Sequence, residues 1–227
     1  VKMEPTDIAF RCNLVTLSDE PAYADKALLD YSSDEISTAE AAVLIEAINQ
    51  ELGTETFVFY PGISYRHALI WKNGLSDFDL TPPHDISGRP IAEYLPKGSQ
   101  SEILLEMMQK SSRILTDHPV NQARIKQGHR PANSIWLWGQ GKKPALTAFK
   151  DRYGLNGSVV CAVDLIKGLG LCAGLRAVAV PGATGGTVTN MRGKAEASLK
   201  ELQQGQDFVY LHVEAPDEAG HRGDLAL

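Results

Sequence analysis

The apolar positions of the first 130 or so residues change period several times. Asp7 to Leu17 is a mostly apolar run with Arg11 and Asn13 set into it, which predicts a strand. A polar loop leads to Ser37-Thr38-Ala39-Glu40, a Ser-x-x-Glu capping box opening a helix through about Gln50. Ala42, Leu44, Ile45 and Ile48 fall on one face of that helix. Thr56 to Tyr60 and Tyr65 to Trp71 predict two strands around Pro61-Gly62, and Asn73-Gly74 supplies a turn after the second. A loop containing Thr81-Pro82-Pro83-His84-Asp85 and Gly88-Arg89-Pro90 then precedes a second capping signal, Ser99 to Glu102. It predicts a long helix burying Ile103, Leu104, Met107, Met108 and Ile114, ended or bent by Pro119, with a restart over Asn121 to Gln127. Helices mixed with paired strands describe an α+β module.

Beyond residue 130 the texture changes to short, continuous apolar runs alternating with helical stretches. Ser134 to Trp138, Ser158 to Val163, Arg176 to Val180 and Phe208 to Val213 predict strands. A helical stretch through Ala173 and a helix from Lys194 to Gln203 lie between them. That alternation indicates βαβ units around a parallel sheet covered on both faces, an α/β fold. Ligands of such sheets bind at the carboxyl ends of the strands. Gly139-Gln140-Gly141, the loop Pro181-Gly182-Ala183-Thr184-Gly185-Gly186 and the pair Asp217/His221 all follow strands on that edge. A helical turn would put Asp217 and His221, four residues apart, on one face. Without further information the pair is either part of a divalent-metal site, zinc or manganese by donor type, or a helix-capping pair. A metal ion needs more than two protein ligands.

Composition narrows the partners. A formal net charge of −6 argues against a general electrostatic grip on nucleic acid, and the apolar runs are too short and interrupted for a membrane span. Cys12, Cys161 and Cys172 lie among apolar neighbours without metal-ligand spacing, so buried free thiols in a reducing cytoplasm are expected. Two phosphate-binding signatures fail on context. Gly168-x-Gly170-x-x-x-Gly174 closes a helical stretch instead of opening one, and the Gly182 to Gly186 loop lacks the Gly-Lys-Ser/Thr ending of a P-loop.

Several segments in order carry a resemblance: Asp7-Ile8-Ala9-Phe10-Arg11-Cys12-Asn13, Tyr65-Arg66-His67, Thr81-Pro82-Pro83-His84-Asp85-Ile86, His118-Pro119-Val120-Asn121, Ala132 to Gly141 and His212 to His221. Through them the whole chain resembles the archaeal-type cofactor-independent phosphoglycerate mutases, a branch of the alkaline phosphatase superfamily. The resemblance implies interconversion of 3-phosphoglycerate and 2-phosphoglycerate through a phosphoserine, between two divalent metal ions, with manganese expected and zinc or magnesium as alternatives. Asp217 and His221 match the family's Asp-x-x-x-His, which supplies two ligands of one metal. The family's nucleophilic serine and remaining ligands match nothing in this sequence. The chain therefore reads as an internal fragment that would not itself catalyse the mutase reaction. Thr189-Asn190-Met191 departs from the family, which more often has an aromatic residue after the Asn.

The resemblance also implies a division into a core strand at 1–17, an inserted α+β cap at 18–129 and an alkaline-phosphatase-like core with a mostly parallel sheet at 130–227. Closure of the cap is expected to exclude water and favour phosphoryl return over hydrolysis. A phosphoglycerate carries a phosphate and a carboxylate, so arginines are the expected readers. Arg11, Arg66, Arg124 and Arg130 lie in matching segments, each either touching substrate or serving the structure as an ion pair or a solvated helix-end charge. Lys194 either faces an anion or is an ordinary surface lysine. His84-Asp85 is either a loop-fixing pair or part of a substrate-facing lid. His67 reads as a structural histidine, and Trp136 and Trp138 as core packing in preference to substrate stacking. Two other readings stay open: a phosphatase or another phosphomutase of the same superfamily, and a non-catalytic ligand-binding protein.

Overall fold

The computed structural model describes residues 3–222, apart from the side chains at 218, 221 and 222. These form two compact units that divide between Lys143 and Pro144.

The spine of the first unit is β1 (Ile8–Leu17). Along one edge it pairs antiparallel with β7 (Ser134–Lys142), and along the other with β4 (Arg66–Trp71) and then β2 (Leu28–Asp30). Outside β4 lies β3 (Phe57–Tyr60), completing a five-stranded sheet. Strand alternation sends Phe10, Cys12 and Leu14 to one face, opposite Leu69 of β4 and Leu137 and Ile135 of β7. These residues share one core with Leu44, Ile45 and Ile48 of α1 (Thr38–Leu52) and Leu104 and Met108 of α2 (Ser101–Thr116). Each such side chain contributes about 1.5–3 kcal/mol by leaving water.

The first capping box forms as its spacing predicts: Ser37 Oγ accepts from the Glu40 amide, and the Glu40 carboxylate accepts from the Ser37 amide, each at 3.3 Å. The second does not. Phe78–Asp79 (β5) and Lys97–Gly98 (β6) pair as a two-stranded ribbon, after which the chain turns through left-handed Gln100 (φ 61°) and α2 starts at Ser101 without a side-chain cap. The next helix, α3 (Pro119–Lys126), begins at Pro119 instead of Asn121, with His118 Nδ1 accepting from the Val120 amide. Asn121 is thereby free to bracket two chain segments, donating to the carbonyls of Leu115 and Ala132 and accepting from the Ala132 amide.

The residues 3–17 and 134–142, which the resemblance groups with the rest of 130–227 in one core, sit in the first unit. There they are antiparallel neighbours, paired from Ile8 to Val15. The period of a strand fixes which of its residues share a face but not which strand it bonds to, so the sequence pattern could not choose these partners.

His67 of β4 faces the core opposite Cys12. Its Nδ1 accepts from the Gly62 amide at 3.0 Å, while Nε2 has no hydrogen-bond partner among the described residues. Burial lowers its pKa from 6.5 to about 4. The unfolded chain therefore takes up this proton first, so the stability is complete above pH 6.5 and falls by up to about 1.4 kcal/mol per unit as pH drops towards 4. Urea unfolding of His67→Leu beside the parent between pH 7 and 4.5 should show this share of the slope missing from the variant. Burial also pushes the Cys12 and Cys161 thiols up; both are buried free cysteines as expected, and Cys172 is half-buried.

Ser33, Asp34 and Glu35 form an uninterrupted left-handed turn, with φ of 51°, 55° and 50°. An L residue in that conformation costs about 1–2 kcal/mol. Asp30 holds the turn by accepting from the Ser32 and Asp34 amides. Glu35→Gly removes one strained position and adds chain entropy on unfolding, for a net gain of about 0.5 kcal/mol; a lower urea midpoint in the variant would contradict this.

The second unit contains a parallel sheet of three of the four strands expected to form one, in the order β10 (Phe208–Leu211), β8 (Gly157–Val160), β9 (Arg176–Val178); the fourth, Ser134–Trp138, lies in the antiparallel sheet of the first unit. Between and around the strands run α4 (Phe149–Tyr153), α5 (Asp164–Cys172), α6 (Met191–Gln203) and α7 (Ala215–Arg222). Gly170 of α5 packs so close to the sheet that a Cβ would come within 2.6 Å of Val159 Cγ1, so this glycine serves packing, as rejection of the dinucleotide fingerprint requires. On α6, buried Glu201 accepts from Ser158 Oγ at 2.6 Å and pairs with Arg176 at 3.5 Å, tying the helix to β8 and β9. Among the described residues no helix is long and apolar enough to cross a membrane.

Candidate functional site

On the face of the first unit's sheet opposite Phe10 and Cys12, β1 presents Arg11 and Asn13. Register places Arg11 opposite Ala68 and Asn13 opposite Arg66, so the two arginines are diagonal neighbours on one face. Both side chains are exposed, and neither has an ion-pair partner among the described residues. Each lies over an aromatic ring: Arg11 over Trp138 at 4.6 Å, and Arg66 over Tyr65 at 4.2 Å.

A row of rings joins the two guanidinium groups. Tyr65 meets Tyr31 edge-on at 5.6 Å, Tyr31 meets His84 at 6.2 Å, and His84 meets Trp138 at 5.3 Å. Buried Asn13 fixes the row from below, accepting from Trp138 Nε1 at 2.9 Å and donating to the Tyr31 carbonyl at 3.2 Å. Stacking orients each guanidinium, and although Arg66 also donates to the Tyr65 hydroxyl, neither fork is used up by a carboxylate among the described residues. Two such forks on one face suit a ligand with two anionic groups.

The other two candidate arginines are engaged otherwise. Arg124 is 3% exposed, and its nitrogens donate to the Ser33 carbonyl at 2.6 Å, the Glu40 carboxylate at 3.0 Å and the Arg130 carbonyl at 3.1 Å. Arg130 is half exposed, donates to the Leu29 carbonyl, and faces Asp30 at 3.6 Å and Asp34 at 3.9 Å. Both clamp the left-handed turn and stand apart from the Arg11/Arg66 face in their bonding. His84 keeps Asp85 at 3.7 Å while its ring belongs to the aromatic row. Trp136 is buried and donates to the Thr81 carbonyl, as core packing requires; Trp138 is half-buried under Arg11.

In the second unit, Asp217 and His221 both fall within α7, so the helical backbone gives them the expected i, i+4 relation. The side chain of His221 lies outside the described residues. Carboxylate and imidazole are donor types that suit manganese or zinc, but two donors alone do not make a metal site. Among the described residues no group of three or more His, Cys, Asp or Glu has the arrangement to hold a metal.

A family model for 2,3-bisphosphoglycerate-independent phosphoglycerate mutase matches residues 1–121, just over half of the chain. The chain belongs to that family. A Geobacter sulfurreducens protein named as a probable 2,3-bisphosphoglycerate-independent phosphoglycerate mutase is 51% identical over 225 residues, covering 99% of this chain and 56% of its relative. A Methanosarcina barkeri enzyme of the same name is 49% identical over 226 residues, with 99% and 55% covered. The solved cofactor-independent phosphoglycerate mutase from Thermoplasma acidophilum has a TM-score of 0.59 at 27% identity, covering 91% of this chain and 54% of that one. The chain thus spans about half the length of the curated phosphoglycerate mutases it matches.

For this member of the mutase family, sequence reasoning singled out Arg11 and Arg66 but did not connect them to Tyr31, Tyr65, His84 and Asn13. The period-2 alternation of β1 was the available signal for Asn13. Nothing local points to Tyr31, which reaches the face only because β2 docks on β1.

Proposed function

We propose that the chain is part of a metal-dependent phosphoglycerate mutase that interconverts 3-phosphoglycerate and 2-phosphoglycerate in glycolysis. Family membership supports the reaction, and one observation carries the role of this chain's residues: two exposed guanidinium groups, stacked but without carboxylate partners among the described residues, share one sheet face. In this reading Arg11 and Arg66 bind the carboxylate and phosphate of the substrate, and the ring row sets their spacing. Asp217 and His221 would hold one of two divalent ions, manganese foremost, which supply charge neutralisation and activation of a nucleophilic hydroxyl. The parallel-sheet unit, 144–227, belongs to an alkaline-phosphatase-like core. The residues 18–129 form an inserted α+β cap, and the enzyme works in the cytoplasm.

The test is to supply the full-length enzyme with 3-phosphoglycerate and manganese, and to follow both 2-phosphoglycerate and free phosphate. Formation of 2-phosphoglycerate that is abolished by chelation and restored by manganese is expected. Phosphate release without 2-phosphoglycerate would instead assign a phosphatase of the same superfamily.

A further inference from the structure

Lys194 reads from sequence as a helix-opening residue of ordinary type, yet it is among the most buried side chains of the chain, 1% exposed. It lies in the first turn of α6, whose N-terminus is capped by Asn190 Oδ1 accepting from the Gly193 amide at 2.8 Å. The ammonium reaches the carboxyl edge of the parallel sheet. There it has two contacts, both 3.4 Å long, to the carbonyl of Thr184 in the Gly-rich loop and to the carbonyl of His212 just past β10. An ammonium has three donors, and an N–H···O bond is normally about 2.9 Å. No carboxylate pairs with Lys194 among the described residues.

A buried cation held by two long carbonyl contacts costs several kcal/mol unless a counter-charge arrives. The carboxylates of the region are occupied elsewhere: Asp164 faces Lys167 at 3.5 Å, Glu201 pairs with Arg176, and Glu214 lies 3.1 Å from His212 Nε2. His212 also has a buried Nδ1 with no hydrogen-bond partner. Two polar groups whose capacity the described residues leave unfilled therefore meet at one strand end.

We propose that Lys194 is an anion-holding residue of the second unit, and that its ligand is a tetrahedral phosphate, either inorganic or the phosphoryl group of a phosphate monoester. The ligand class rests on the phosphoryl-transfer reading above; the placement of the charge does not. The phosphate oxygen takes the third ammonium donor and neutralises the buried charge.

The test uses the 227-residue chain with inorganic phosphate and, in parallel, 3-phosphoglycerate, at constant ionic strength set with chloride. By NMR, the Lys194 side-chain Cε resonance is expected to move in a saturable way with phosphate and not with chloride. Lys194→Met, which keeps the volume and removes the charge, should weaken phosphate binding at least tenfold, and Lys194→Arg should retain part of it. A response to both ligands or to the ester alone supports the site and tells which source it accepts. A silent Lys194 resonance, or equal phosphate affinity in the parent and Lys194→Met, overturns it and leaves Lys194 as a strap between the loop and β10. The NMR measurement on the parent chain decides the matter even if Lys194→Met does not fold. Mutase activity in the full-length enzyme together with a silent Lys194 would sink this inference alone; a responsive Lys194 in an enzyme without mutase activity would sink the functional reading alone.

Discussion

Arg124→Ala is expected to cost the first unit on the order of 3 kcal/mol, read as a lower urea midpoint at unchanged m-value. The guanidinium is buried and acts as a three-way clamp, joining the left-handed turn at Ser33, the first turn of α1 through Glu40, and the carbonyl of Arg130 beyond α3. Its removal leaves the Ser33 carbonyl without that charged donor and frees a turn whose backbone is already strained at Ser33, Asp34 and Glu35. Arg124→Lys should recover little, because a single ammonium cannot serve three acceptors set around a planar fork. Glu40→Gln should cost less than Arg124→Ala, because Glu40 is one-third exposed and water replaces part of what is lost. An Arg124→Ala variant as stable as the parent would mean that the clamp contributes nothing.

Arg11→Ala and Arg66→Ala are each expected to lower kcat/KM of the full-length mutase by about 10²–10³ while leaving the urea midpoint near that of the parent. The opposite balance holds here from that at Arg124. Both groups are exposed and neither closes an ion pair among the described residues, so folding depends on them little, whereas the proposed doubly anionic ligand would depend on them strongly. Lysine at either position should not restore the rate, since the fork and its stacking on Trp138 or Tyr65 are lost together. Trp138→Leu supplies an internal check: it removes the surface that orients Arg11 but not the charge, so its effect should lie between those of the parent and Arg11→Ala. Changes in kcat/KM below tenfold for both arginine variants would remove this face from the reaction.

Much of the local architecture was legible from spacing. The box at Ser37 forms because both of its hydrogen bonds are local, and the glycines at 168–174 were readable as helix-closing because their order relative to strand and helix is a property of the chain alone. The box at Ser99 failed for a reason outside its own window. Lys97 and Gly98 are captured by a strand twenty residues earlier, and the chain must turn through Gln100 before a helix can start.

The same division runs through the chemistry. The sequence by itself indicated that β1 carries an arginine and an asparagine on one face, that strands from residue 158 onward alternate with helices, and that the chain is a phosphoglycerate mutase relative. Each follows from period, order or identity along the chain. Only the tertiary structure decided which arginines are spoken for. Arg124 and Arg11 are both arginines in matching segments, but one is buried among three acceptors while the other lies open on a ring. Lys194 was likewise indistinguishable from a surface lysine until α6 docked and enclosed its ammonium. A charged side chain's role is set by which counter-charges and carbonyls surround it, and those arrive from far along the chain, as from Ser33 to Arg124, 91 positions apart.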